Sequence, residues 1–201
     1  MSKQPVLLRL AIVLALSSSL AACGPSGRGA GTLTSTAPGA ITLRDDLGRD
    51  EQLSSRTARS NLTVLLFFSS DCPVQKAHDG RIRELAQTYG SRGVSFYAVV
   101  SEVGADMRAE REAAKQRGFV FPVLEDRGAA LADALGVDFS THSVVLDRDA
   151  SVLYSGGIDS DRTHLSSGAE RWLERALQAS LEGKPIEKAS TEPLGCPLRK
   201  H

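Results

Sequence analysis

The chain has 201 residues, and Lys plus Arg and Asp plus Glu each total 24, so no net charge draws it as a whole toward nucleic acid or an anionic membrane. Hydrophobic residues at 41% and charged residues at 24% lie near the soluble globular average, which excludes a polytopic membrane protein and a disordered chain. Three cysteines, at 23, 72 and 196, are too few for a disulfide scaffold and lack the paired CxxC spacing of structural zinc, so each is read in its own context.

At the amino terminus, Lys3 and Arg9 form a basic leader and Leu10 to Leu16 an unbroken apolar run. That run is too short to span a bilayer as a mature helix. Ser17 to Ser19 and then Leu20-Ala21-Ala22-Cys23 follow, and this ending resembles the lipobox of bacterial lipoprotein signal peptides. The resemblance implies a signal peptide over 1–22, lipid on Cys23, and, with Gly24 next, sorting to an outer membrane. The expectation is an exported chain, lipid-anchored to the cell envelope and facing the periplasm. An ordinary signal peptide with an incidental cysteine is the alternative. Residues 23–40 are rich in Gly, Ser, Thr and Pro without apolar periodicity, and read as a flexible tether with a reach of roughly 20–25 Å.

The domain expected over 41–182 opens with a short strand, Ile41 to Arg44, followed by a turn and a polar stretch to Leu53. Leu62 to Phe68 is a continuous apolar, partly β-branched and aromatic run, the pattern of a strand covered on both faces. Ile82, Leu85, Ala86 and Tyr89 recur at helical spacing and predict a helix from about Pro73 to Tyr89, closing near Gly90. Val94 to Val100 reads as a second buried strand. A charged, Ala-rich helix near 105–117, a short strand near 119–124 and a small helix presenting Leu131 and Leu135 complete an alternation that builds a parallel sheet. Ser143 to Asp147 and Ser151 to Tyr154 flank a polar turn and predict an antiparallel hairpin. A last helix, about 167–182, sets Ala169, Trp172, Leu173 and Ala176 on one stripe.

Parallel first half, hairpin second half and closing helix together resemble the thioredoxin fold. The implied class is α/β, a central mixed sheet flanked by helices, with an N-terminal β extension and an extended C-terminal tail over 183–201. Cys72 stands where the first buried strand hands over to a helix, and Pro73 suits the first helical turn, so free amides and the positive helix end would stabilise a thiolate there. Phe67-Phe68-Ser69-Ser70-Asp71-Cys72-Pro73-Val74 resembles the active-site turn of redoxins. Gln75 takes the place of a CxxC partner, so no local disulfide can close. The peroxiredoxin pattern Pro-x-x-x-Thr-x-x-Cys finds Leu65 and Ser69 at its marker positions; Ser69 could supply the hydroxyl, whereas Leu65 departs from the pattern. Gly136 to Thr141 resembles the loop that carries a cis-proline beside the active cysteine, with Thr141 in the proline's place. Non-proline cis bonds cost about 3 kcal/mol, so a trans loop of different shape is expected.

Cys196 lies in Glu192-Pro-Leu-Gly-Cys-Pro-Leu198, and Asp-Cys-Pro with a C-terminal Gly-Cys is similar to bacterial redoxin-domain proteins. From Gly183 the tail could stretch up to ~45 Å, enough to reach the helix terminus. With Cys23 lipidated, Cys72 and Cys196 are the two thiols left in an oxidising setting, and their pairing is expected either as a redox couple or as a structural staple. In the redox reading Cys72 is the nucleophile and Cys196 the resolving partner, and the substrate is a thiol- or disulfide-bearing protein, a small thiol or a peroxide, with no cofactor. The alternative is a copper-binding protein holding Cu(I) with both cysteines and His142 or His78, although the Cys-x-x-x-Cys pair of thioredoxin-fold copper chaperones is absent. His164 reads as a solvated loop residue, and Arg108, Glu110, Arg111, Glu112 and Lys115 as a solvated helix face. Asp71 would either raise the neighbouring thiol's pKa or shuttle protons.

Overall fold

A computed structural model describes residues 36–201; the expected signal peptide, Cys23 and most of the expected tether lie outside the described residues. Seven strands form one sheet in the order β2-β1-β5-β4-β3-β6-β7. At its centre are β3 (Leu62–Phe67), β4 (Val94–Val100) and β5 (Val123–Glu125), mutually parallel, with β6 (Ser143–Leu146) antiparallel to β3 and β7 (Val152–Gly156) antiparallel to β6. On the far edge, β1 (Thr42–Arg44) runs antiparallel to β5 and pairs with β2 (Asp50–Gln52), so the N-terminal extension is a hairpin built into the sheet.

Every residue of β3 is buried because its two faces meet two separate cores. Val64 and Leu66, continued by Phe68, point into a layer with Ile82, Leu85 and Tyr89 of α2 (Pro73–Gly90) and Leu173, Ala176 and Leu177 of α5 (Trp172–Leu181). Leu65 and Phe67 point the other way, toward Leu53 of α1 (Leu53–Thr57) and Leu131 and Ala132 of α4 (Ala130–Leu135). The period of two along a strand forces this division, and each such side chain contributes about 1.5–3 kcal/mol when fully buried. Helix α3 (Met107–Gln116) lies over β5 and sends Ala114 into the first layer; Asp106 caps it by accepting the Arg108 and Ala109 amides.

The structure departs from the sequence reading at the edges. Helix α1 and strand β2 occupy the stretch read as turn and polar segment, since DEQ and LSSRT carry little apolar periodicity. The strand expected over 119–124 is confined to Val123–Glu125, directly after Pro122, which has no amide to donate to a ladder; Phe119 and Phe121 before it stack with ring centroids 5.1 Å apart. The last helix starts only at Trp172. Pro38–Ala40, assigned to the tether, forms a 3-10 turn, and Ile41 behind it is buried.

The tail is not a free extension. Ser190 bridges to Ser155 beside β7, Pro197 to Phe139, and Leu198 is buried in the second core. Among the described residues, no helix is long and apolar enough to cross a membrane.

Candidate active site

Strand β3 ends at Phe67, and the chain turns through Ser69-Ser70-Asp71 to Cys72, the N-cap of α2, with extended backbone at φ −78° and ψ 115°. The Cys72 carbonyl accepts the first helical hydrogen bond from Lys76 at 3.0 Å, and Pro73 fills the first helical position, where a missing N–H costs nothing. Cys72 is buried, 2% exposed. Its sulfur is bonded to that of Cys196, with the two Cα atoms 5.8 Å apart and a sequence separation of 124.

Three side chains hold the turn. Gln75, fully buried at the position of the absent second cysteine, accepts the Ser69 amide at 2.9 Å. Glu110 reaches across from α3 and accepts both the Ser70 amide, at 2.9 Å, and the Ser70 hydroxyl, at 2.6 Å. Arg117 donates to the Ser70 carbonyl and lies over the Phe68 ring. Glu110 is therefore a buried anchor of the site, correcting its reading as part of a solvated helix face. Arg111 also turns inward, donating to the Asp45 carbonyl. The Glu110, Arg117 and Arg111 contacts span 40, 47 and 66 positions of sequence, and helical periodicity carries no signal for them.

The opposite wall is the loop before β6. The Thr141 amide donates to the Phe67 carbonyl at 2.9 Å and the Phe67 amide to the His142 carbonyl at 3.0 Å, which ties the loop to the end of β3. Thr141 has φ +64°, a value forbidden to proline, so the residue standing where a proline was looked for adopts a backbone that proline cannot.

The tail docks on this loop. The Ser140 amide donates to the Cys196 carbonyl at 2.8 Å, the Cys196 amide to the Ser140 hydroxyl at 3.2 Å, and the Leu198 amide to the Asp138 carbonyl at 2.9 Å. Lys200 then pairs with Asp133 at 2.9 Å and Asp138 at 2.7 Å. Gly195 passes so close that a Cβ there would lie 1.6 Å from the Ser140 carbonyl oxygen.

The histidines are placed elsewhere in the network. His78 is buried, with Nδ1 2.8 Å from the Val74 carbonyl and Nε2 3.1 Å from Asp159, which Arg81 also engages. Both ring nitrogens are engaged by acceptors. His142 is also buried; Nε2 meets the Ser155 hydroxyl at 2.8 Å, Nδ1 has no partner, and burial pushes its pKa down to about 4, so the ring is neutral at pH 7. His164 is exposed, as is Asp71. Among the described residues no three His, Cys, Asp or Glu side chains converge as metal ligands, so neither histidine is gathered with the two sulfurs. Ser69 is buried at the turn, whereas Leu65 is a core residue of β3 facing the second layer. The grooves along α3 and α5 are lined by neither cysteine.

The Redoxin family model matches residues 33–173. An uncharacterized conserved protein from Geobacillus kaustophilus is similar at 26% identity and a TM-score of 0.69, over 79% of this chain and 87% of its own. A hypothetical protein from Sinorhizobium meliloti is similar at 23% identity and a TM-score of 0.69, over 80% and 91%. A peroxidoxin from Mycobacterium tuberculosis shares the fold at 21% identity and a TM-score of 0.53, over 71% and 92%. No curated protein matches. The strand-turn-helix that carries Cys72 lies inside a family match covering well over half of the sequence: the chain belongs to the Redoxin family, with the thioredoxin-like fold and a thiol oxidoreductase or peroxiredoxin-like activity.

Proposed function

We propose that this redoxin carries out thiol–disulfide exchange by opening and closing the Cys72–Cys196 bond. The observation that carries the reading is the position of that bond: one sulfur sits at the N-terminus of an 18-residue helix, the other on a strap seated across the loop at 138–141. A purely structural staple has no need of a helix end that stabilises a thiolate. With Gln75 in the CxxC position, the second sulfur of the couple is Cys196. Peroxide is a second substrate class, favoured by the buried Ser69 hydroxyl three residues before Cys72. No organic cofactor is needed for either reaction, since both sulfurs come from the chain.

The export signal and the Leu-Ala-Ala-Cys23 ending support a lipid-anchored location in the cell envelope, where an oxidising setting suits such a pair. The copper reading draws on Nδ1 of His142, the one buried imidazole nitrogen without a partner among the described residues, but that ring does not join the cysteines in a ligand cluster. The deciding experiment is turnover of a disulfide substrate with dithiothreitol, and of hydrogen peroxide, by the full chain and its Cys72→Ser and Cys196→Ser variants. Both variants should lose at least ~90% of disulfide turnover, because each lacks one half of the couple. Full activity in either variant would refute the assignment. Cys23→Ser should move the protein out of the membrane fraction, and an unchanged distribution would refute the anchor.

A further inference from the structure

The two sulfurs of the disulfide are not equivalent, and the difference decides which one a partner meets. Cys72 is 2% exposed and enclosed by the turn that Gln75, Glu110 and Arg117 hold, whereas Cys196 lies part-exposed on the strap. Exchange requires a thiolate to attack one sulfur while the other leaves, and it runs fastest where the attacked sulfur is accessible and the leaving sulfur is the more stable anion. Access selects Cys196 for attack. The leaving group then is Cys72, whose negative charge develops at the helix N-terminus. The opposite assignment requires attack at the buried Cys72 and departure of a thiolate from the strap, which has no helix end beside it.

We infer that thiol partners enter at Cys196 and that Cys72 is the leaving and closing cysteine, an inference that rests on the exchange reading above and reverses the order of roles expected from the sequence. In the first step the partner thiolate bonds to the Cys196 sulfur, the Cys72–Cys196 bond breaks, and its electron pair stays on Cys72. In the second step another partner thiol, having lost its proton, attacks the partner's own sulfur. Cys196 leaves as a thiolate and takes up a proton. Two partner thiols have become one disulfide, and the protein's disulfide has become a dithiol. Run backward, Cys196 attacks a partner disulfide and the Cys72 thiolate closes the intramolecular bond.

The strap keeps the pair together during this cycle. Leu198 sits in its core, Lys200 on Asp133 and Asp138, and the Cys196 backbone on Ser140, contacts that involve neither sulfur. The Cys72 thiolate therefore stays beside the mixed disulfide, which it resolves when the cycle runs backward.

The test uses oxidised glutathione as partner disulfide, at a pH near 8.5 where an ordinary thiol is half ionised. The full-length Cys72→Ser and Cys196→Ser variants are mixed with it, and adduct formation is followed by intact mass. The inference expects the Cys72→Ser variant, glutathionylated at Cys196, to react at least roughly tenfold faster than the Cys196→Ser variant. Denaturant should erase the difference. Faster reaction at Cys72 overturns the assignment of entry while leaving exchange intact. In wild type, oxidised chain is mixed with reduced glutathione, acid-quenched and alkylated. A disulfide that native protein never opens, though denatured protein does, overturns the exchange reading itself.

Discussion

At the scale of single residues, the two buried histidines respond to pH in opposite senses. His78 faces the Val74 carbonyl on one nitrogen and the Asp159 carboxylate on the other, and both are acceptors, so the ring must be an imidazolium to satisfy them. Burial opposes the charge, but the bonds to Asp159 and Val74 prevail and raise its pKa above 6.5. A raised folded pKa gives stability that is complete below the unfolded value and lost as pH climbs through the folded one. His142 is the reverse: burial holds it neutral down to about pH 4, so its contribution is present above 6.5 and disappears as pH falls toward 4, at a cost of roughly 3 kcal/mol. Urea unfolding across pH 4.5–9 should therefore show a maximum near neutrality. His78→Gln should flatten the alkaline limb and His142→Gln the acid one; limbs unchanged by both substitutions would contradict these protonation states.

Among the elements, the turn before Cys72 and the strap each rest on a contact that a single substitution can break. Glu110→Ala leaves the Ser70 amide and hydroxyl without their acceptor and should cost about 1–3 kcal/mol, with faster hydrogen exchange at Ser70. Unchanged exchange there would show that α3 does not hold the turn. Gly195→Ala puts a methyl group where the Ser140 carbonyl oxygen lies, so the strap must lift. The variant should form the Cys72–Cys196 cross-link at least ~10-fold more slowly after reduction, measured by the loss of free thiols. An unaltered rate would mean that docking does not present Cys196.

These same elements show what could be read from the sequence. The apolar run of β3, the helical spacing in α2 and the Cys-Pro step at their junction placed Cys72 correctly, because strand and helix periods are local properties of the chain. Gly195-Cys196 could be noticed, but not the docking of its strap, which rests on backbone pairing with Ser140 and Asp138. Glu110 was misread for a related reason: its i,i+4 neighbours suggested solvent, while its actual partner is Ser70 on another element. The burial of Gln75 leaves no pattern either, since a polar residue entering the core looks like any other polar residue on a helix.

At the scale of the whole molecule, the disulfide joins the helix at the centre of the domain to the end of the chain, closing almost two thirds of the sequence into a loop. In the chain-entropy description a loop of this length contributes about 5 kcal/mol. Cys196→Ser should therefore lower the thermal midpoint by on the order of 10 °C and leave the fold intact, since the tail keeps its other anchors. A shift under ~2 °C would indicate that those anchors alone close the loop.

In the proposed exchange the Cys72–Cys196 bond opens and closes in the native protein. Equilibrating the native full chain in buffers of graded thiol-to-disulfide ratio, then counting alkylated cysteines by mass, tests it most directly. A single reversible two-electron transition is expected, in which Cys72 and Cys196 become alkylatable together, with the same midpoint approached from either side. A Cys72–Cys196 bond that stays closed throughout native conditions and opens only on unfolding would contradict it.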